Sequence, residues 1–473
     1  RAFKIYTVFL FFRCIMKTMK SKQVDFSNGR ILENIVMCAA PMLVAQLLNL
    51  MYNIVDRIYI GKIEGIGVVA LGGVGLCFPI ISLITAFTNL FGAGGAPLCS
   101  IERGKRNIEK AQRIMNISFY MLILTAIVLT LVGILVSEPL LYIFGASNTT
   151  IQYALPYMRI YFIGTLFSMI ALGMNPFINA QGFASTGMMT IFIGAIANII
   201  LDPIFIFGLD MGVQGAAIAT VISQILSAIF VLRFLTGKSP ELKLQHLKNV
   251  EFRGKEIKDV LSLGSSSFVM QCTNSLVQIA CNSMLSQVGS DLYISCMTVI
   301  NSVRQILEVP VLAIGDGSSP ILSYNYGAGN GKGVKKAIRI ITFAGVIYTL
   351  IAWMFIILFP RFFIHIFNGD ADLLQLAIPA MHVYFFAFVF QAFQYCGQTV
   401  FKSLNKKKQA IFFSLLRKVV IVVPLTFILP HTGFGAMGVF MAEPISNFVG
   451  GSICFITMLV TVYCKLDVKR NKE

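Results

Sequence analysis

Long apolar runs recur along most of the 473-residue chain, and they constrain its fold more than any other feature. Apolar runs of about 18 or more residues are typical of membrane-spanning helices. Hydrocarbon offers no hydrogen-bond partners, so each spanning segment must pair its own backbone groups, which favours helices. The short alternating segments of a membrane β-barrel are absent from the sequence. The sequence therefore predicts an all-α polytopic membrane protein.

The positions of the charges predict how the chain sits in the membrane. Only 12% of residues are charged, and the formal net charge is +17. Most Lys and Arg residues lie in six clusters, at 1–30, 103–113, 233–258, 332–339, 402–408 and 465–472. The loops between alternate pairs of spans are poor in both residues, so the clusters mark the cytoplasmic face. We therefore expect a bilayer partner rather than nucleic acid, with both termini cytoplasmic at a bacterial cytoplasmic (inner) membrane.

Motifs for catalysis or for a fixed cofactor are missing from the sequence. Ten cysteines are scattered without a C-x-x-C pair, and four histidines lie far apart, so no disulfide framework or zinc site is predicted. No nucleotide-binding, zinc-protease or serine-hydrolase motif occurs. We predict a protein that is not an enzyme and that needs no cofactor.

Hydropathy predicts twelve spans in two halves of six. The spans are 32–60, 66–97, 112–136, 151–180, 186–208, 213–236, 256–287, 291–324, 336–360, 374–402, 408–430 and 435–464. The predicted regions are a cytoplasmic lead (1–30, with Met19 a candidate start), a first lobe (31–236), a cytoplasmic linker (237–255), a second lobe (256–464) and a cytoplasmic tail (465–473).

An internal repeat relates the two halves. The segment GAGGAPLCSIERG (92–104) aligns with GDGSSPILSYNYG (315–327), with matched glycine, proline and serine positions at an offset of 223 residues. Each copy ends a second span and is followed by a basic stretch. The repeat therefore has parallel topology, which predicts a pseudo-two-fold axis along the membrane normal and a central cavity between the lobes.

Polar residues at helical spacing occur within three spans. The stripes are Gln46, Asn49, Asn53 and Asp56 on the first span, Gln271, Asn274 and Gln278 on the seventh, and Gln391, Gln394 and Gln398 on the tenth, with Asn175 on the fourth. Single amides of this kind commonly join helices by hydrogen bonds. Three stripes at repeat-related places are better explained by a wet cavity.

Five acids fall within predicted spans, where a charge is costly and usually functional. They are Asp56, Asp202, Glu308, Asp316 and Glu443. Asp316, between two glycines, is interpreted as structural. Glu308 lies one turn after Arg304, so an ion pair and a role in substrate binding both stay open. The same two interpretations stay open for Glu443, which precedes a proline.

Asp202 lies in the segment IANIILDPIFIFG (196–208). Asn198 is one turn earlier on the same helix face. Pro203 has no N–H, so the carbonyl of Ile199 loses its partner and the helix bends. Such a group of oxygens suits a small cation, or a proton on a buried carboxyl, with Asp56 the candidate second acid. A proline kink with a satisfied Asp202 is the alternative.

The ordered set of motifs resembles the multidrug and toxic-compound extrusion (MATE) transporters, in particular their DinF- and MepA-like bacterial branches. The matching pieces are PMLVAQLLNLMYNIVDRIYIG (41–61), NIILDPIFIFG (198–208), GVQGAAIATVISQ (212–224) and the segment 310–328, within a resemblance covering about 30–464. The resemblance implies two six-helix lobes and export of cationic, amphipathic compounds in exchange for H⁺ or Na⁺ by alternating access.

Matching this family residue by residue implies a cation site, which could hold Na⁺, at Asp56, Asn198, Asp202 and Thr220. It also implies a bending proline at Pro41, paired with the kink at Pro203, and cavity residues at Asn49, Tyr52 and Asn175. Together with the stripes, the predicted substrate cavity comprises Gln46, Asn49, Tyr52, Asn53, Asn175, Gln271, Asn274, Gln278, Glu308, Gln394 and Gln398. The NorM-like branch carries acids on its seventh and tenth spans, where this chain has Cys281 and glutamines.

The function predicted from the sequence is therefore a monomeric secondary antiporter that exports small organic, often cationic compounds. The main rival is a lipid-linked oligosaccharide flippase of the same superfamily, which is expected to need more charged residues in its cavity. A membrane-embedded enzyme and a channel are less consistent with the two-lobe repeat and the single pair of acids.

Overall fold

The computed structural model describes residues 23–288, 291–365 and 371–466, and these ranges are helical apart from short turns and connectors. No β-strand occurs within the described ranges. The predicted lead up to residue 22, including Met19, and the tail from residue 467 lie outside them. The all-α prediction is confirmed.

Each predicted span corresponds to a helical segment, labelled α1 to α12. The segments are α1 Ile31–Gly61, α2 Gly67–Gly75 with Phe78–Gly104, α3 Ile108–Ile143, α4 Ile151–Ala180, α5 Ala184–Pro203, α6 Gly212–Leu235, α7 Gly254–Val288, α8 Asp291–Gly327, α9 Gly331–Leu358, α10 Ala371–Phe385 with Phe390–Ser403, α11 Lys407–Leu415 with Val423–Ile428, and α12 Ala436–Met458. A short helix, Pro360–His365, precedes α10.

Several segments depart from regular α-helix in ways that the sequence did not predict. α2 is interrupted at Leu76 and Cys77, and α10 bends by 49° between its two parts. π-helical turns follow α5 at Ile204–Gly208, join the parts of α11 at Leu416–Val422, and follow α12 at Leu459–Tyr463. Single π-turns within α-helices occur frequently at functional sites.

Ten helices in the described ranges are long and apolar enough to cross a membrane, and eleven if the bent α10 counts as one span. The remaining segment is α7, which carries the predicted polar stripe. Its polarity is explained by position, because Gln271, Asn274 and Gln278 line a cavity rather than a lipid surface. A helix that faces a cavity in this way keeps polar groups at bilayer depth.

Each lobe has its own apolar core. The first core lies mainly among α2 to α6 and includes Met115 and Phe177, and the second lies among α7 to α12 and includes Phe385 and Phe440. A third core joins the lobes, where Ile31 and other residues of α1 pack with residues of α8 to α12. Burial of these side chains positions the polar residues that face the cavities.

The contact between the lobes has the two-fold symmetry expected from the repeat. Gly104 of α2 packs against the Tyr324 carbonyl, and its repeat partner Gly327 of α8 packs against the Ile101 carbonyl. A Cβ at either glycine would collide with the opposing backbone. Tyr324 and Ile101 are themselves separated by the repeat offset, so the two contacts are equivalent. Small residues allow this close approach of membrane helices.

The segment 237–255 between the lobes is fixed to the first lobe. The Leu242 amide donates to Gln181 Oε1 at 2.8 Å, and the Tyr120 hydroxyl donates to the Gln245 carbonyl at 2.6 Å. Arg103 forms an ion pair with Glu241 at 2.7 Å. The linker is therefore an ordered strap, which its polar sequence did not indicate.

Candidate cation and substrate sites

The structure brings Asp56 and Asp202 together in the interior of the first lobe. Asp56 comes from α1 and is 8% exposed, and Asp202 comes from the end of α5 and is fully buried. Their carboxyl groups are within hydrogen-bonding reach of each other. Asp56 Oδ1 and Asp202 Oδ2 have no hydrogen-bond donor among the described residues. Two such carboxyls require a shared proton or a bridging cation, because neighbouring buried negative charges repel.

Asn198 and Thr220 complete a set of oxygens around the acid pair. Asn198 Nδ2 donates to Asp202 Oδ1 at 3.0 Å and lies 3.4 Å from Thr220 Oγ1. Asn198 is one helical turn before Asp202, which explains the first contact. Its own Oδ1 is buried and has no described partner. The π-turn Ile204–Gly208 begins directly after Pro203, at the end of this site.

The donor set fits a proton or a monovalent hard cation. Three buried oxygens, on Asp56, Asn198 and Asp202, lack a partner, and all are oxygen ligands of the kind that hard cations prefer. The described residues contain no group of three or more His, Cys, Asp and Glu suited to a transition metal. The adjacent Arg57 is exposed, and its guanidinium lies 4.2 Å from the centre of the Phe78 ring.

A small cavity of about 70 Å³ lies beside the acid pair. Asn49, Tyr52, Asn198 and Thr220 line it, as do side chains of α4, α5 and α6 that the sequence did not single out, including Ser168 and Gln224. The cavity therefore connects predicted substrate residues with predicted cation residues inside one lobe.

Other predicted residues of the first lobe make helix contacts instead. Gln46 donates to Asp316 Oδ2 at 3.1 Å across the lobe contact, which gives Asp316 a structural partner. Asn53 donates to the Asn49 carbonyl at 2.6 Å. Asn175 donates to the Gly187 carbonyl at 2.8 Å and lines neither of the lobe cavities described here. For Asn175, the structure favours the helix-joining role that was the alternative for single amides.

The two predicted hinge prolines differ in their setting. Pro41 lies within an uninterrupted α1, and Pro203 is the last residue of regular α5 before the π-turn. The helix therefore changes geometry at Pro203 and keeps its regular hydrogen-bonded form at Pro41 in this conformation.

The polar stripes of α7 and α10 meet in a second cavity of about 400 Å³ inside the second lobe. The predicted residues that line it are Gln271, Asn274, Gln278, Glu308, Gln394 and Gln398, together with Cys281. The sequence predicted one interior shared by all the stripes, and the structure instead gives each lobe its own cavity. The reason is that the lobes touch along α1, α2, α7 and α8, so the α1 stripe does not face the other two.

Five charged side chains line the second cavity, and two of them were missed by sequence reasoning. Arg304 lies 3.2 Å from Glu308, and Lys418 lies 3.0 Å from Glu443. Arg417 was missed together with Lys418, although this Arg-Lys pair inside the apolar span 408–430 was a readable signal. Both lie in the π-turn of α11. Glu308 and Glu443 thus have ion-pair partners and face a cavity, so both open interpretations stay compatible with the geometry.

Two repeat-related helical lobes, each with a polar cavity at bilayer depth, define a polytopic membrane transporter. The MatE family model matches residues 41–204 and again 266–428, one match in each lobe. The chain therefore belongs to the MatE family, whose members are membrane transporters and not enzymes. The resemblance noted in the sequence is confirmed.

Known relatives match nearly the whole chain. The multidrug export protein MepA of Staphylococcus aureus (strain MSSA476) is 23% identical over 451 residues, covering 95% of this chain and 97% of the relative. A crystal structure of MATE in the bent conformation has a TM-score of 0.88 at 22% identity, covering 95% of this chain and 99% of that one. An outward-facing multidrug resistance MATE transporter of the MOP superfamily has the same TM-score at 23% identity, with the same coverage. These structures establish the shared two-lobe fold.

Proposed function

We propose that this chain is a secondary multidrug efflux antiporter of a bacterial cytoplasmic membrane. It exports amphipathic organic compounds, often cationic, in exchange for H⁺ or Na⁺, and it works as a monomer with both termini in the cytoplasm. The pair of Asp56 and Asp202 carries the proposal, because two adjoining buried carboxyls without donors need a small cation.

Occupancy of the acid pair is coupled to the state of the lobes through α1. Asp56 lies on the same helix as Pro41, Gln46 and the cavity residue Asn49. A cation bound between α1 and α5 holds these helices together, and its release leaves repelling carboxylates that favour a different bend of α1. A ligand can shift such an equilibrium only through its unequal affinity for the two states.

The lobe contacts support an outward-open assignment for this conformation. Gly104 and Gly327 make their close contacts beside the basic segments 103–113 and 332–339. If the basic segments are cytoplasmic, the lobes are closed toward the cytoplasm, and coupling cations enter the acid pair from outside. Reorientation then releases the cation inward and allows cytoplasmic drug to bind.

The energy of one coupling cation sets the scale of export. One elementary charge moving through 100 mV yields about 2.3 kcal/mol. That energy supports a gradient of roughly 50-fold for a substrate without net charge. A cation exchanged one for one gains only from the concentration gradient of the coupling ion.

The test is ethidium efflux from proteoliposomes under an imposed pH or Na⁺ gradient. We expect gradient-driven efflux by the native chain and efflux at the protein-free rate for Asp202→Asn. The matched control is Asp210→Asn, the same chemical change at an exposed loop residue, which should transport normally. Native-like efflux by Asp202→Asn would contradict the assignment of the cation site.

A lipid-linked oligosaccharide flippase is the second candidate, and the five charged residues of the second cavity favour it. Flippase activity predicts translocation of a fluorescent lipid-linked sugar with no ethidium efflux under either gradient. Ethidium efflux without sugar-lipid translocation would exclude it.

A further inference from the structure

The charges around the second-lobe cavity do not cancel. Arg304, Arg417 and Lys418 are basic, and Glu308 and Glu443 are acidic, and no other charged side chain among the described residues lines this cavity. One formal positive charge is therefore left over. The first lobe has the opposite character, since its acid pair has no buried basic partner.

The excess charge lies at the end of the cavity formed by α11. Lys418 Nζ contacts both oxygens of Glu443, at 3.0 Å and 3.3 Å. Arg417 lies 3.6 Å from the same carboxylate and donates to Asn447 Oδ1 at 2.7 Å. Two cations thus share one carboxylate. Arg304 and Glu308 form a separate pair in which Gln391 also donates to Glu308.

Both cations of α11 are withdrawn from solvent. Arg417 is 7% exposed and Lys418 is 3% exposed. An unbalanced buried charge is costly unless a counter-charge joins it. The chain therefore carries a site whose charge is completed only when an anion binds.

We propose that this site binds the acidic group, a carboxylate or a phosphate, of an amphipathic organic substrate. The inference rests on the proposed export function and specifies the substrate class. Arg417 offers a planar fork that matches a carboxylate or phosphate oxygen pair, and Lys418 offers a point charge beside it.

The rest of the cavity suits the remainder of such a molecule. Its volume of about 400 Å³ lies within the range of small-molecule sites. Aromatic side chains from three helices, Tyr384, Tyr395 and Phe413, line it together with the amides of α7 and α10. A compound that carries only positive charge would meet repulsion here, whereas a zwitterion or an organic acid would not.

The test compares two dyes that differ at one group. Rhodamine B carries a free carboxylate beside its cationic ring system, and its ethyl ester carries the same ring system without the acid. Fluorescence polarisation with the purified full chain in nanodiscs, corrected with protein-free nanodiscs, gives the two dissociation constants. We expect rhodamine B to bind at least about tenfold more tightly than the ester, a difference of one charge-assisted contact.

Two variants separate charge from packing. Lys418→Met removes the excess charge while Glu443 keeps Arg417, and we expect the preference for rhodamine B to disappear. Lys418→Met combined with Glu443→Gln restores the excess, and we expect the preference to return. Size-exclusion profiles of all proteins check that they fold. Equal affinity of the native chain for both dyes, or a preference unchanged in Lys418→Met, would overturn the proposal.

Transport distinguishes this inference from the proposed function. In proteoliposomes, Lys418→Met should still export the ester under an ion gradient, because the acid pair of the first lobe is intact. If the native chain exports neither dye, the proposed function fails. If it exports both equally and binds both equally, only the acid-binding site fails.

Discussion

The two lobes share a scaffold and differ in the chemistry of their cavities. Each lobe has a π-turn in its fifth helix, at Ile204–Gly208 in α5 and at Leu416–Val422 in α11, and each π-turn lies beside buried charged residues. In the first lobe these are acids without a basic partner. In the second they are bases and acids in ion pairs, with one base in excess. The repeat has therefore kept the lobe contacts and separated a cation site from an anion site.

The largest expected difference between the lobes appears when an acid is changed to its amide. Glu443→Gln removes the partner of two buried cations, so we expect a loss of about 3–5 kcal/mol in the free energy of unfolding. Asp202→Asn removes a carboxyl that adjoins another carboxyl, so we expect the free energy of unfolding to stay the same or rise. Denaturant unfolding of the purified variants measures both. Equal destabilisation by the two changes would show that the lobes do not differ in this way.

The second expected effect concerns energy coupling in the first lobe. Asp56→Asn leaves one carboxyl that no longer needs a cation to offset repulsion. Under 100 mV we expect the accumulation ratio of zwitterionic rhodamine B to fall from roughly 50-fold to one. Proteoliposome fluorescence at steady state measures the ratio, with Asp210→Asn as the control. A ratio in Asp56→Asn equal to the native one would remove the first lobe from the coupling mechanism.

A third prediction tests the scaffold that the lobes share. Gly264 of α7 packs against the Leu90 carbonyl, so a Cβ there would collide with backbone, whereas a Cβ at Gly254 of the same helix meets open space. We expect Gly264→Ala to lower the free energy of unfolding by about 1–3 kcal/mol. Gly254→Ala is the matched control and should unfold like the native chain. Native stability for Gly264→Ala would mean that the lobes do not pack closely there.

The smallest expected effect distinguishes the two coupling ions. Thr220→Val removes a hydroxyl oxygen 3.4 Å from Asn198 Nδ2, while Thr220→Ser retains it. For Na⁺ as the driving ion, losing one neutral ligand of about 1 kcal/mol should raise the half-saturating Na⁺ concentration about fivefold. Efflux measured against Na⁺ concentration provides the comparison. The same increase in Thr220→Ser would exclude the hydroxyl as a ligand.

Sequence reasoning located the scaffold and the acid pair because both leave local signals. Apolar runs marked the spans, and matched glycines marked the repeat. Spacing of one helical turn placed Asn198 beside Asp202, and the family pattern added Asp56 and Thr220. These signals depend on neighbours in sequence or on motif order, both of which can be read without coordinates.

The second cavity was harder to predict because it depends on how helices are rotated. Lys418 and Glu443 lie on different helices, and an apolar span gives little indication of which face meets a neighbour. Likewise, Asn175 could face a cavity or an adjacent helix, and only packing against Gly187 decides between them. The bend in α10 and the docking of the linker also depend on tertiary contacts.

The most direct test of the account is the displacement of coupling ions by substrate. Ethidium is added to purified protein in weak buffer, and a pH-indicator dye and ²²Na⁺ counting together measure the cations released per molecule. We predict release of about one cation from the native chain and none from Asp202→Asn. Equal release from both proteins would contradict the assignment of Asp56 and Asp202 as the site where the coupling cation binds.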